Sequence, residues 1–150
     1  MIITSSVFDD GSMIPKKFTC DGGDINPELL IQNVPPEAKS LALILNDSDA
    51  PMSGGFTHWM VWNIDPETSI IKEESMPPES VEGMNDAKKI GYFGPCPPPG
   101  VPHHYHFYLY ALDTALDLPE DTSAAALRKE IEKHTITIAE LVGLYGRAQG

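Results

Sequence analysis

Apolar residues fall in short runs separated by turn residues along most of the chain. Ile2 to Val7 predicts a first strand, stopped by Asp9-Asp10-Gly11, whose side chains and missing Cβ favour chain reversal. A second short strand is predicted to end at Phe18-Thr19-Cys20, followed by an irregular stretch through Asp21-Gly22-Gly23-Asp24 and Asn26-Pro27. Leu29 to Gln32 resumes extended structure until Pro35-Pro36 interrupts it, which confines that piece to an edge or a strand end. Ser40 to Asn46 and His58 to Ile64 are apolar at odd and even positions alike, the pattern of strands covered on both faces. Tyr105 to Leu112 is a third such run, with Phe107 and Leu109 on one side and Tyr108 and Tyr110 on the other. Residues 66–90 hold scattered acids and few apolar positions, so they predict an exposed, mobile excursion. Helical spacing is confined to the end of the chain. There Thr122 or Ser123 can cap a segment running to Lys133, with Leu127 and Ile131 on one face. The β-branched run Ile136-Thr137-Ile138 then favours a strand to Gly143 over more helix. The pattern as a whole is that of a mainly β domain, a sandwich or barrel, with one C-terminal helix.

Composition fits this picture. A chain of 150 residues, 41% hydrophobic, can bury its own core as a single domain spanning 1–150, and its 14 prolines and 12 glycines are spread as punctuation between strands. Lys and Arg number 10 against 22 acidic residues, and a net charge of −12 repels phosphodiester backbones and anionic bilayers. Nucleic acid and membrane surfaces are therefore poor partners, although a pocket of imidazoles and backbone N–H groups can still hold a small anion. The first residues lack a basic region, and no apolar run approaches the roughly 20 residues that span a bilayer, so a cytoplasmic location without membrane insertion is expected. Cys20 and Cys96 form no CxxC pair and are read as reduced thiols; a single bond between them is the alternative.

Three segments concentrate chemistry, each at the end of a predicted buried strand: Asp47-Ser48-Asp49-Ala50-Pro51, Thr57-His58-Trp59, and Gly94-Pro95-Cys96-Pro97-Pro98-Pro99-Gly100 leading into His103-His104-Tyr105-His106. Strand ends at a rim can present polar groups to one pocket. Asp47 and Asp49 suit local turn bonding, or a carboxylate that orients an imidazole. His58 is either a satisfied strand histidine or a pocket residue. The proline run cannot pair inside a sheet and must be a stiff loop. His103 and Tyr105 point to one face and His104 and His106 to the other, so only one pair can line a given pocket. The histidine spacing is weak for a metal site, and no GxSxG elbow or Walker-type loop is present, so neither a metal enzyme nor a nucleophilic hydrolase is favoured.

At these segments the sequence resembles the phosphatidylethanolamine-binding protein family, in its compact prokaryotic branch of Raf kinase inhibitor-like proteins. Asp47-Ser48-Asp49-Ala50-Pro51 resembles its DPDAP element and His58 to Ile64 its HW strand. Gly94 to Gly100 with His103-His104-Tyr105 resembles GPCPPPG and HRY, and Phe18 to Gly22 and Leu141 to Tyr145 resemble the family's ends. The resemblance implies two packed antiparallel sheets with a C-terminal helix, and no cofactor. It implies a rim pocket for phosphate, acetate or a phosphorylated head group, built from Asp47, His58, Pro97, Pro98, His103 and Tyr105, with the Cys96 backbone beside the anion. In that pocket His58 and His103 donate N–H bonds and Asp47 fixes an imidazole tautomer. Ser48 departs from the family proline and His104 from the family arginine, and the link from Gly100 to His103 is short. The reading is a non-enzymatic binder of small phosphate-bearing ligands, open to a kinase or phosphoprotein as partner and to a homodimer. Its rivals are a hydrolase or metal enzyme using Asp47, His58 and His103, and an interaction module with a vestigial pocket.

Overall fold

The computed structural model describes residues 1–147. Eight strands and one helix follow one another as β1 (Ile2–Ser5), β2 (Leu29–Gln32), β3 (Ser40–Asp47), β4 (Phe56–Ile64), β5 (Ile70–Ile71), β6 (Val81–Glu82), β7 (His103–Leu112), α1 (Ala124–His134) and β8 (Thr135–Tyr145). They form a three-stranded sheet in the order β1-β2-β5 and a five-stranded sheet in the order β6-β4-β3-β7-β8, with antiparallel pairing throughout.

The two-sided apolar strands explain the layering. In β3, Leu41, Leu43 and Leu45 face the core between the sheets, together with Ile3, Leu29, Ile31, Val61 and Phe107. The alternate residues Ala42 and Ile44 join Met60 and Trp62 beneath α1, which buries Ala124, Leu127 and Ile131 against them. Both surfaces of β3 are thereby shielded, and every one of its residues is buried. The helix begins where the Ser123 hydroxyl accepts the Ala126 N–H, satisfying one of the free donors of the first turn. Further in, Arg128 donates to Thr57 Oγ1 at 3.0 Å, which ties α1 to the start of β4. No helix among the described residues is long and apolar enough to cross a membrane.

Several sequence expectations need correction. β1 stops at Ser5 instead of Val7, which is exposed, while Phe8 turns into the core. The strand expected to end at Phe18-Thr19-Cys20 is a single 3-10 turn over Lys16–Phe18. Local bonding wins there: both the amide and the hydroxyl of Thr19 donate to the Lys16 carbonyl. Residues 66–90 are less exposed than expected, because β5 and β6 add short edges and Ile71, Gly83 and Asn85 are buried. Cys20 and Cys96 are not free thiols. They form a disulfide with Cα atoms 5.4 Å apart, inside the span such a bond needs.

That bond closes a loop across 76 positions, which on a chain-entropy view restricts the unfolded state by about 4 kcal/mol. Replacing both cysteines by serine is expected to lower stability by about 2–4 kcal/mol, read as a lower urea midpoint with an unchanged fold by circular dichroism.

Candidate functional site

β3 ends at Asp47, β4 starts at Phe56 and β7 starts at His103, and antiparallel pairing puts these three termini at one edge of the five-stranded sheet. Asp47 lies opposite both Phe56 and Tyr105. Its side chain shares the inner face with Leu45 and Leu43, so the polar end of a buried strand looks into the gap between the sheets. His58 reaches the same gap through an irregularity. Leu45 pairs with Trp59 and Asn46 with Thr57, so His58 is an extra residue in β4. Strict alternation would send His58 to the α1 side with Met60; the bulge turns it inward instead. There its ring stacks on Phe93 at 5.3 Å and meets the edges of Phe56 and Tyr105 at 4.9 and 5.4 Å.

Hydrogen bonds define the two inward histidines. His58 Nδ1 lies 2.7 Å from the Phe93 carbonyl oxygen, and His103 Nδ1 lies 2.7 Å from Asp47 Oδ2. Both partners can only accept, so each Nδ1 carries the proton and each Nε2 is left without a partner among the described residues. Asp47 has both roles weighed from the sequence, because its Oδ1 also accepts the Asp49 N–H at 2.8 Å. Burial pushes the His58 pKa below its ordinary value, against the opposing pull of the Phe93 carbonyl and the Asp47 charge. The Tyr105 hydroxyl is buried beside Asp47 and the Cys96 backbone without a well-formed hydrogen bond, and burial raises its pKa far above that of an ordinary phenol. It stays protonated as an unmatched donor.

These groups surround a cavity of about 180 Å³ lined by Asp47, His58, Cys96, Pro97, Pro98, His103 and Tyr105. At about 30 Å³ for each water in the liquid, that is room for one tetrahedral oxyanion with a short substituent. All seven residues singled out from the sequence share this cavity. Ala50 and Pro51 of the acidic segment line it too, together with Met52, Phe56 and Phe93, which the sequence does not single out. Their signal was only adjacency: Phe93 precedes the proline loop, and Phe56 becomes visible once the β3–β4 register is known. A larger groove of about 610 Å³ lies at the opposite end of the sheet around Lys39, Asp65 and Glu79. It contains no histidine and no unmatched buried donor, so volume does not single it out as the site.

The proline loop owes its position to both ends of the chain. Cys20 holds Cys96 by the disulfide and Pro95 by an N–H bond to its carbonyl, while Asp24 Oδ1 accepts the Gly94 N–H at 2.7 Å. No side chain fits at Gly94, whose Cβ would meet the Phe18 carbonyl and Thr19 Cα. Asp21 in turn accepts from Tyr145 and Arg147, and the Gly100 N–H reaches the Arg147 carbonyl. The two departures from the family pattern are accommodated outside the cavity. His104 stands over Asp49, whose Oδ2 accepts both its backbone N–H and its Nδ1–H, and this holds the Asp49 pKa low. Ser48 bonds His106 at 2.8 Å.

As pH falls below 6.5, the unfolded chain protonates at its histidines before folded His58 does. The stabilising contribution of His58 is therefore fully present above 6.5 and declines as pH falls through the window between 6.5 and its lower folded value. Nitrogen NMR is expected to show His58 as the neutral Nδ1–H tautomer at pH 7, titrating below 6.5; a charged ring at pH 7 would contradict the geometry.

Comparison with known proteins bears on this arrangement. The phosphatidylethanolamine-binding protein profile matches residues 4–146. A UPF0098 protein of Pyrococcus horikoshii is 50% identical over 95% of this chain and 75% of its own length. Another, from Methanothermobacter thermautotrophicus, is 46% identical over 98% and 99%. Among solved structures, a phosphatidylethanolamine-binding protein homologue from Chlamydia trachomatis superposes with a TM-score of 0.90 at 42% identity, covering 97% of this chain and 96% of that one. E. coli YbcL, described as a member of the mammalian PEBP family, gives 0.92 at 30% identity, covering 97% and 98%. With its two antiparallel sheets, its C-terminal helix and a profile match along nearly its whole length, the chain belongs to the phosphatidylethanolamine-binding protein family.

Proposed function

We propose that the rim cavity binds a small oxyanion, most fittingly the phosphate of a phosphorylated head group or residue, and that it works by binding and not by catalysis. One observation carries this reading. Two imidazoles have Nδ1 engaged by fixed acceptors and Nε2 free at a single cavity, next to the unmatched hydroxyl of Tyr105. Both rings are held before a ligand arrives, so little ordering cost remains on binding. The family description, which names a phosphate-bearing lipid, supports the same ligand class.

Charge state matters more than shape. In the tautomers described, neutral Nε2 atoms accept hydrogen bonds, whereas an oxyanion needs donors. Tyr105 can donate as it stands, but for an imidazole Nε2 to bond the same anion either the ring must take up a proton or the ligand must keep an acidic proton to donate to it. The Asp47 carboxylate behind His103 holds that ring in position with its Nε2 directed away from the contact. Against the hydrolase alternative, the Cys96 sulfur is consumed in the disulfide, and no other cysteine, serine or threonine lines the cavity. Against the metal alternative, no three His, Cys, Asp or Glu side chains among the described residues converge as ligands. A kinase or another phosphoprotein would engage the same chemistry by presenting its phosphate at the rim. The disulfide bears on location, since such bonds persist chiefly in oxidising surroundings, and it weighs against the cytoplasmic setting expected from the sequence.

Titration with inorganic phosphate and with phosphoethanolamine, followed by NMR, tests the reading. Shifts are expected at Asp47, His58, His103 and Tyr105, with affinity rising as pH falls below 6.5 because His58 must gain its proton against burial. His58→Ala is expected to weaken binding at least tenfold, about 1.4 kcal/mol. Shifts confined to other residues, or affinity unchanged by His58→Ala, would sink it. A phosphoprotein partner retained by that variant would favour the interaction-module reading.

A further inference from the structure

Ser48, His106 and Glu140 form a hydrogen-bonded chain on the outer face of the five-stranded sheet, and we propose that it makes Ser48 a nucleophile toward small neutral esters. Ser48 Oγ lies 2.8 Å from His106 Nε2, and His106 Nδ1 lies 2.9 Å from Glu140 Oε2. A carboxylate can only accept, so the imidazole proton resides on Nδ1 and the Nε2 lone pair faces the serine hydroxyl. This is the tautomer a general base needs, and such an arrangement is recognised by its geometry and roles, not by its place in the sequence.

Four histidine–carboxylate pairs use Nδ1 among the described residues: His103 with Asp47, His104 with Asp49, His106 with Glu140 and His134 with Asp113. His106 alone of these also has a hydroxyl at Nε2. Its ring is held parallel to that of Tyr108, 5° apart at 5.5 Å. Ser48 is fixed from both sides, because its own N–H donates to the His104 carbonyl and its neighbours Asp47 and Asp49 are each bound to a histidine. It remains open to solvent, over a histidine whose side chain is only 18% exposed. The residues lie 58 and 34 positions apart in sequence, so no local motif could reveal them.

The surroundings select the substrate. Asp49 and Glu140 repel anions, whereas Tyr108 offers an aromatic contact beside His106, which fits an uncharged aryl ester of a small acid. Ser48 Oγ bonds to the acyl carbon and the bond to the aryl oxygen breaks. The serine proton passes through His106 Nε2 to the departing phenolate. Water then cleaves the acyl-serine with His106 as base, releasing the acid and restoring the hydroxyl. Glu140 is a positioning residue that acts through His106. Ser48 lies outside the lining of the anion cavity, next in sequence to the Asp47 that helps to form it.

The test treats intact protein with neutral diisopropyl fluorophosphate and with 4-nitrophenyl acetate, locating adducts by peptide mass spectrometry and following nitrophenol release. Exposed Ser53, in the neighbouring loop, serves as an internal reference. Ser48 is expected to react about 100-fold faster than Ser53, the lower range for general-base assistance. Nitrophenol release is expected to fall in Ser48→Ala, and Ser48 labelling to fall to the Ser53 rate in His106→Gln. Glu140→Ala is expected to slow acylation without changing the half-saturating ester concentration, and to remove the Nδ1–H preference of His106 from its nitrogen spectrum. His134→Gln is expected to change nothing. Labelling of Ser48 no faster than Ser53, or equally fast in His106→Gln, would overturn the proposal.

Discussion

The position of β3 between β4 and β7 is the constraint on which the site depends. A strand buried on both faces has no freedom to slip, because a shift of one residue would exchange the leucines between the sheets for the residues beneath α1. With that register fixed, Asp47 must emerge beside Tyr105 and Phe56. Hydrophobic burial thus locates a carboxylate that contributes nothing to hydrophobic burial itself. The polar chemistry of the rim is positioned by the apolar chemistry of the core.

The large features were legible in the sequence wherever one physical signal acted alone. Two-sided apolar runs gave β3, β4 and β7 to within two residues at each end, and the Ser123 cap with Leu127 and Ile131 gave α1. The strand favoured after the helix is present as β8, longer than foreseen because Tyr145 and its neighbours continue to pair with β7. Errors came where local and long-range forces competed. Thr19 bonds back to Lys16 instead of extending, and the pairing of Cys20 with Cys96 depends on a Cα distance that no spacing rule supplies.

The candidate site was legible as a set of residues but not as an arrangement. The convergence of the acidic, histidine and proline segments followed from their places at strand ends, and alternation correctly assigned His103 and Tyr105 to one face and His104 and His106 to the other. What alternation could not give was the inward turn of His58, since that needs an extra residue in one strand. Nor could it give the bracing of the proline loop by Asp21 and Asp24, which depends on contacts between the two ends of the chain. The mutual orientation of imidazoles, carboxylates and hydroxyl, and hence the proton inventory of the cavity, belongs to tertiary structure alone.

The extra backbone unit ahead of Trp59 also changes what shared letters mean between relatives. Two proteins can both carry a histidine at the aligned position, yet the one whose β4 lacks that unit would turn its ring under the helix and leave the rim without it. Inheritance of this pocket is therefore inheritance of a strand offset as much as of a side chain, and an aligned histidine is evidence of a shared pocket only where the offset is shared too.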